Sequence, residues 1–155
     1  MTLIATDRHW LAAAIESSRL SPPAPDHYAV GAVIVDADGR VLATGYTGET
    51  DPHYHAEEAA LAKLAGADLS GATIYSSLEP CTTRKSRPQA CAGLIVAAGL
   101  RRVVFALREP PVFADGRGME TLAAAGVEVL ELAEFGRLVV EVNEHILGRT
   151  SVPSA

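Results

Sequence analysis

Residues 73–107 read TIYSSLEPCTTRKSRPQACAGLIVAAGLRRVVFAL, a segment in which strand-like and helical character alternate. The short stretches 73–77 and 102–107 predict two β-strands, the second of them strongly apolar. Between them, 90–98 predicts a helix that stops at Gly99, a residue typical of helix C-termini. A strand, a helix and another strand in this order are typical of a crossover unit in an α/β sheet.

The same alternation continues on both sides of this segment. Asp7 is positioned to cap a first helix, which the proline-rich stretch 21–25 would end. The apolar runs 29–35 and 41–45 flank a turn and predict a β-hairpin. The remaining predicted elements, in chain order, are a helix at 55–65, a helix at 118–125, a strand at 127–130 and an amphipathic helix at 133–147. This order predicts an α/β fold with a mixed sheet and helices on both of its faces.

Length and composition predict one globular domain over residues 1–155, with a flexible tail at 149–155. The net charge of −6 speaks against a broad nucleic-acid-binding face. We expect no membrane association, because no uninterrupted apolar run reaches the length that spans a bilayer. We also expect the two cysteines to be reduced and the protein to be cytoplasmic, since the N-terminus lacks the pattern of a signal peptide.

Three residues that are far apart in the sequence could bind a metal: His55, in the motif HAE at 55–57, and downstream Cys81 and Cys91. The imidazole of His55 and the two thiolates are donor types that zinc prefers. Three protein ligands are typical of a catalytic zinc site, in which the fourth position stays open for water. Glu57 is left off the metal and could accept a proton from that water, so the set predicts a hydrolase.

Two other interpretations of these residues stay open. His53 could complete a structural zinc site with four ligands, or the histidine and the cysteines could be ordinary core residues. The order His-x-Glu followed by Pro-Cys favours the catalytic interpretation, because it matches the zinc deaminase signature H-x-E…P-C-x-x-C. The interval between the cysteines is nine residues here. Ligation tolerates such an insertion if both of its ends meet at the metal, since loop closure becomes only slowly more costly with length.

Several stretches carry a resemblance to a known family: SLEPC at 77–81 with a long loop to Cys91, AAGLRRVV at 97–104, VGAVIV at 30–35, TGY at 44–46 and HAEE at 55–58. In these stretches the chain resembles the pyrimidine deaminases of riboflavin biosynthesis, a branch of the cytidine deaminase-like superfamily. The resemblance extends from about residue 29 to about residue 130. It is closer to the fungal-type members than to the bacterial bifunctional ones.

The resemblance implies a three-layer α/β/α sandwich around a mixed five-stranded sheet. It implies that His55, Cys81 and Cys91 bind Zn²⁺ and that Glu57 shuttles the proton. The implied reaction is hydrolytic loss of ammonia from a small aminopyrimidine, above all a riboflavin-pathway diaminopyrimidine nucleotide. Members of the superfamily often form dimers or tetramers, so a homodimer or a homotetramer is expected.

The loop between the two cysteines carries Arg84, Lys85 and Arg87. Cationic side chains beside a catalytic centre suit a substrate phosphate, and arginine can bind one through two donors. The alternative is a solvated charge cluster. Three more residues could line the substrate pocket or serve only as packing or surface: Tyr28, Tyr46 and Glu49.

Other activities share the same metal chemistry and stay open as alternatives. One is deamination of cytidine, cytosine, deoxycytidylate or a guanine-type base or nucleoside. An RNA-base deaminase would need a basic surface that follows the strand, which the acidic net charge disfavours. A non-catalytic zinc-stabilised module would need the metal for folding and would not need Glu57.

Overall fold

The computed structural model describes residues 3–22, 24, 27–82, 90–108 and 117–147. Its helices are α1 (Leu3–Ser18), α2 (Ala56–Ala62), α3 (Cys91–Ala97), α4 (Gly118–Ala124), α5 (Gly136–Val142) and α6 (Glu144–Leu147). Its strands are β1 (Gly31–Val35), β2 (Val41–Tyr46), β3 (Thr73–Leu78), β4 (Arg102–Leu107) and β5 (Glu128–Glu131). The predicted order of strands and helices is confirmed, with bounds that shift by a few residues.

The five strands form one sheet in the order β2-β1-β3-β4-β5. Strand β1 runs antiparallel to both of its neighbours, whereas β3, β4 and β5 are parallel. The parallel half follows from the crossover helices between these strands, since parallel neighbours cannot be joined by a tight turn. The prediction of a mixed five-stranded sheet is therefore confirmed.

Two glycines show that helices cover both faces of the sheet. A Cβ added at Gly31 would lie 1.9 Å from the carbonyl oxygen of Ala14 in α1, and one at Gly45 would lie 2.3 Å from that of Ala56 in α2. Gly31 pairs with Tyr46, the residue after Gly45. Because successive residues of a strand point to opposite faces, α1 and α2 lie on opposite sides. The three-layer prediction is therefore confirmed.

The remaining helices extend these two layers. Helix α5 contacts α1 and β4, while α3 contacts both α2 and α4. Strands β1, β3 and β4 are buried along nearly their whole length, as expected for strands covered on both faces. The edge strand β2 instead exposes Val41 and Leu42. None of the described helices has the length and apolar character needed to cross a membrane.

The prediction that Asp7 caps the first helix is wrong. Helix α1 begins before Asp7, and the carboxylate is fully buried at the helix–sheet interface. Arg102 binds both carboxylate oxygens through its two terminal nitrogens at 2.7 Å, and the Tyr75 hydroxyl donates to Oδ1 at 2.8 Å. Burial opposes ionisation of Asp7, but these hydrogen bonds outweigh it and lower the pKa of the carboxyl below its usual value. Asp7 therefore anchors α1 to the sheet.

The predicted continuous helix at 133–147 is also wrong in detail. A 3₁₀ turn at Ala133–Phe135 precedes α5, and Asn143 separates α5 from α6. The fully buried Asn143 side chain accepts a hydrogen bond from the Ala29 N–H at 2.6 Å and donates to the Ala29 carbonyl at 3.0 Å. An asparagine that satisfies the backbone of another segment competes with continuous helical geometry. It attaches the residues just before β1 to the helical layer.

Candidate metal centre

His55 occupies the position at which the chain enters α2. Its backbone is extended, with φ −81° and ψ 155°, and its N–H donates to Glu58 Oε1 at 3.2 Å. A glutamate at the third helical position often caps the helix start in this way. The helix packs directly on β2 because Gly45 has no side chain. The hydrogen bond to Glu58 and the packing of α2 on Gly45 therefore fix the position of the half-buried His55 imidazole.

The two cysteines lie at the end of β3 and at the start of α3. Cys81 follows Pro80 after the strand, and Cys91 is the first residue of the helix. The Cys91 N–H donates to Cys81 Sγ at 3.3 Å, and the Ala92 N–H donates to the Cys81 carbonyl at 2.9 Å. One N–H group at the helix N-terminus thus stabilises negative charge on the Cys81 sulfur, and the next N–H holds the Cys81 main chain.

Hydrogen bonds in this cluster favour the thiolate form of Cys81, which is the form that binds a metal. A hydrogen bond with the Cys91 side chain lowers the pKa of Cys81, and His55 lowers it further through a hydrogen bond and its charge. Burial acts in the opposite direction, and the resulting pKa of Cys81 is about 4. Both sulfurs are shielded from solvent, since Cys81 is 6% exposed and Cys91 is fully buried.

The donor atoms of the three residues converge. His55 Nδ1 lies 3.3 Å from Cys91 Sγ and 3.5 Å from Cys81 Sγ. Bonds of about 2.0–2.1 Å to nitrogen and about 2.3 Å to sulfur place such donors about 3.5 Å apart around tetrahedral zinc. The observed separations therefore fit zinc. In the described part of the chain, this is the one group of metal-binding side chains that converges.

Glu57 follows His55 by two residues, at the second position of α2. The residue is 4% exposed. A carboxylate is seldom buried to this extent unless it has a structural or chemical role, and the positive end of a helix favours its charge. The structure therefore places a buried carboxylate on the turn that carries the imidazole ligand.

His53 does not join the cluster. Its side chain is exposed, and its backbone N–H donates to Asp51 Oδ1 at 2.8 Å. The converging group in the described residues has three members, His55, Cys81 and Cys91. The ligand count therefore favours a site with an open position over a closed structural site.

The predicted substrate-binding residues lie in different places. Tyr28 is buried in the hydrophobic core. Tyr46 pairs with Gly31 and so leaves the sheet on the face that carries α1. The Glu49 carboxylate lies 2.6 Å from Lys63 Nζ, at the end of α2. The remaining three, Arg84, Lys85 and Arg87, lie outside the described residues.

Sequence reasoning gave no role to Glu79, which immediately precedes Pro80. Its side chain is fully buried and accepts a hydrogen bond from the Met119 N–H at 2.8 Å. Arg108 Nε lies 3.5 Å from the same carboxylate oxygen. The signal in the sequence was a charged residue between the end of a predicted strand and a metal ligand.

A three-layer α/β/α sandwich with one imidazole and two thiolates converging on one point defines a zinc-binding α/β protein. Residues 4–107 match the family model of the cytidine and deoxycytidylate deaminase zinc-binding region. The match covers more than half of the chain and includes His55, Glu57, Cys81 and Cys91. The chain therefore belongs to this deaminase family, whose matched region is named for binding zinc.

The chain is similar to several named proteins. It is 36% identical over 126 residues to the diaminohydroxyphosphoribosylamino-pyrimidine deaminase of Schizosaccharomyces pombe, covering 79% of this chain and 31% of that protein. It is 42% identical over 100 residues to the riboflavin biosynthesis protein RibD of Aquifex aeolicus, covering 64% of this chain and 27% of that protein. The solved structure of Acinetobacter baumannii RibD aligns with a TM-score of 0.78 and 32% identity, covering 95% of this chain and 40% of that one. The chain thus spans less than half the length of each of these three proteins.

Proposed function

We propose that this protein is a zinc-dependent hydrolytic deaminase that acts on a diaminohydroxyphosphoribosylaminopyrimidine or a closely related aminopyrimidine nucleotide. The observation that carries the proposal is the convergence of His55 Nδ1 with the sulfurs of Cys81 and Cys91. The buried Glu57 carboxylate lies on the same helical turn as this imidazole. The similarity to a Schizosaccharomyces pombe protein named for this deamination supports the substrate class.

The reaction divides between the metal and the chain. His55, Cys81 and Cys91 would hold zinc, which when bound supplies the Lewis acidity that makes water nucleophilic near neutral pH. Glu57 takes one proton from the attacking water and delivers it to a ring nitrogen, and then takes the second proton from the new hydroxyl group and delivers it to the leaving amine. A carbon–oxygen bond forms, the carbon–nitrogen bond breaks, and ammonia leaves. Burial of Glu57 suits this role, because a dry carboxylate exchanges its proton with substrate rather than with bulk water.

We propose that Arg84, Lys85 and Arg87 bind the substrate phosphate. The support is their sequence position: all three lie in the nine-residue stretch 82–90 that joins the ligands Cys81 and Cys91. Cations held between two ligands of the site would lie close to a bound nucleotide. Tyr28, Tyr46 and Glu49 stay predictions as pocket residues. Three further properties stay predictions: a homodimeric or homotetrameric state, a cytoplasmic location and a single domain over 1–155. Light scattering would measure the oligomeric state.

A substrate panel tests the proposed function. Zinc-loaded protein is offered the phosphoribosylated diaminopyrimidine, its dephosphorylated form, cytidine, cytosine, deoxycytidylate, guanine and a single-stranded RNA, and ammonia is measured. We expect the phosphoribosylated diaminopyrimidine to give the highest kcat/KM. Glu57→Gln is the matched control, and we expect it to keep zinc and lose at least about 100-fold in kcat. A preference for another substrate would overturn the substrate class, and full turnover by Glu57→Gln would overturn the mechanism.

Arg87→Ala tests the phosphate contact separately. We expect it to raise KM for the phosphorylated substrate and to leave KM for the dephosphorylated form unchanged. Arg137→Ala, on α5, is the matched control for loss of one arginine charge. Equal effects of Arg87→Ala on both substrates would contradict the phosphate role.

A further inference from the structure

Glu79 is a buried acid next to the metal centre with no role in the proton transfers above. It lies between Leu78, the last residue of β3, and Pro80, which precedes Cys81. Its backbone N–H donates to the Leu107 carbonyl at 2.9 Å, so the sheet fixes the main chain here. Two residues further along, the chain must present a thiolate at a defined point.

The Glu79 side chain connects this segment to α4. It accepts a hydrogen bond from the Met119 N–H at 2.8 Å, in the first turn of that helix. Arg108, which follows β4, approaches the same oxygen at 3.5 Å and also binds Glu120 of α4. Hydrogen bonds in which one partner is charged are about twice as strong as neutral ones. One carboxylate therefore ties the end of β3 to the start of α4.

Helix α4 also contacts the main chain just before the ligand. A Cβ added at Gly118 would lie 2.0 Å from the Pro80 carbonyl oxygen and 2.8 Å from Glu79 Cγ. Only a residue without a side chain allows the helix to approach Pro80 this closely. The peptide that leads into Cys81 is therefore held between the sheet and the first residue of α4.

We propose that Glu79 is a positioning residue for the metal centre. By accepting a hydrogen bond from the start of α4, Glu79 keeps Gly118 in contact with the Pro80 carbonyl. This contact holds the main chain before Cys81 and so fixes the position of Cys81 Sγ at the metal centre. Cys81 receives a second restraint from the α3 N-terminus, through Cys91 and Ala92. Glu79 thus acts through the main chain, whereas Glu57 acts on the substrate. This inference rests on zinc ligation by Cys81, which it shares with the proposed function.

Metal retention tests the inference without any substrate. Glu79→Ala removes the acceptor for Met119, while Glu79→Gln keeps an oxygen acceptor and loses the charge. Mutating a residue that supports the metal ligands without binding the metal typically costs about 10–100-fold in metal affinity. We therefore expect Glu79→Ala to lose zinc to a chelator about 10-fold faster than wild type. We expect Glu79→Gln to restore most of this retention. In cobalt-substituted protein, we expect the thiolate-to-metal and d–d absorption bands to shift in Glu79→Ala and to return towards wild type in Glu79→Gln.

Asp7→Ala is the matched control. Asp7 is also a buried carboxylate bound by an arginine, but it lies at the other end of β4. Its partner Arg102 is the first residue of that strand, whereas Glu79 is hydrogen-bonded to Leu107, the last one. We expect Asp7→Ala to lower stability and to leave the zinc release rate and the cobalt spectrum unchanged. Wild-type release and spectra in Glu79→Ala, or equally fast release in Asp7→Ala, would overturn the inference.

A second variant covers the case in which Glu79→Ala does not fold. Gly118→Ala pushes directly on the Pro80 carbonyl, and we expect it to speed zinc release in the same sense. Wild-type release in folded Gly118→Ala would then overturn the proposal. In the activity assay we expect Glu79→Ala to change kcat more than KM, and Glu79→Gln to return towards wild type. Failure of the proposed function looks different: wild-type protein would retain zinc and would deaminate no member of the substrate panel.

Discussion

Asp7 illustrates how a charged residue can be part of the interior of this protein. The carboxylate is fully buried, yet Arg102 binds both of its oxygens and Tyr75 donates a third hydrogen bond. Arg102 also binds Glu128 at 2.5 Å, so the network joins α1, β3, β4 and β5. Arginine suits this position because its planar guanidinium bonds a carboxylate through two parallel donors.

Asp7→Asn tests this ion pair. The pKa of Asp7 in the folded protein is lowered, so ionised Asp7 adds stability above the unfolded pKa of about 3.9 and that stability is lost as pH falls through the folded pKa. Removing one partner of a buried pair costs about 3–5 kcal/mol, so we expect a loss of this size at pH 7. We expect the difference between wild type and Asp7→Asn to narrow below about pH 4. Urea unfolding at several pH values measures this difference in the free energy of unfolding. A difference that does not change with pH would contradict the claim that ionised Asp7 stabilises the fold.

The sequence carries enough information to predict His55, Glu57, Cys81 and Cys91 as a group, because their residue types and order reflect metal chemistry. It does not carry the roles of Asp7 and Glu79. The partner of Asp7, Arg102, lies 95 residues away, and Met119 lies 40 residues from Glu79. Aspartate near a helix start more often caps it, so local propensity favoured the wrong role.

Among the elements, α2 positions the imidazole through its contact with β2. A Cβ at Gly45 would meet two backbone atoms of this helix, the Ala56 carbonyl oxygen at 2.3 Å and the Ala60 nitrogen at 2.7 Å. Backbone atoms cannot rotate away as a flexible side chain can, so any substitution must move the helix. His55 immediately precedes Ala56, and a shift of α2 therefore moves the ligand.

Gly45→Ala tests this coupling between packing and metal binding. We expect it to lower the free energy of unfolding by about 1–3 kcal/mol or more, and to weaken zinc binding. Gly71→Ala is the control, because its Cβ would lie 3.7 Å from the nearest atom, the Ala37 Cβ, an ordinary contact. We expect this control to stay within about 0.5 kcal/mol of wild type. Thermal unfolding and zinc titration measure both effects, and equal behaviour of the two variants would contradict the role of Gly45.

Most elements could be predicted from local pattern, since short apolar runs separated by turn residues define the strands. The prediction fails where a distant contact decides. The periodicity of 133–147 is helical, yet Asn143 bonds Ala29, 114 residues away, and the helix divides there. The close approach of α2 to β2 at Gly45 was likewise invisible, because an isolated glycine in a strand does not reveal which backbone lies above it.

For the whole molecule, the order of layers explains how distant ligands meet. His55 and Cys81 are 26 residues apart, and His55 and Cys91 are 36 apart. Helices α2 and α3 contact each other, so the start of each helix can contribute a ligand to one point. The end of β3 brings Cys81 to the same place. The mixed sheet could be predicted from the alternation of elements, whereas the contact between α2 and α3 could not.

The zinc content of the purified protein tests the central claim most directly. Elemental analysis together with X-ray absorption should give one zinc per chain, bound by two sulfurs, one imidazole nitrogen and one donor that is not a protein side chain. His55→Ala, Cys81→Ala and Cys91→Ala should each lose stoichiometric zinc, while Asp7→Asn should keep it. Wild-type protein without zinc after loading, or zinc closed by a fourth protein ligand, would contradict the account.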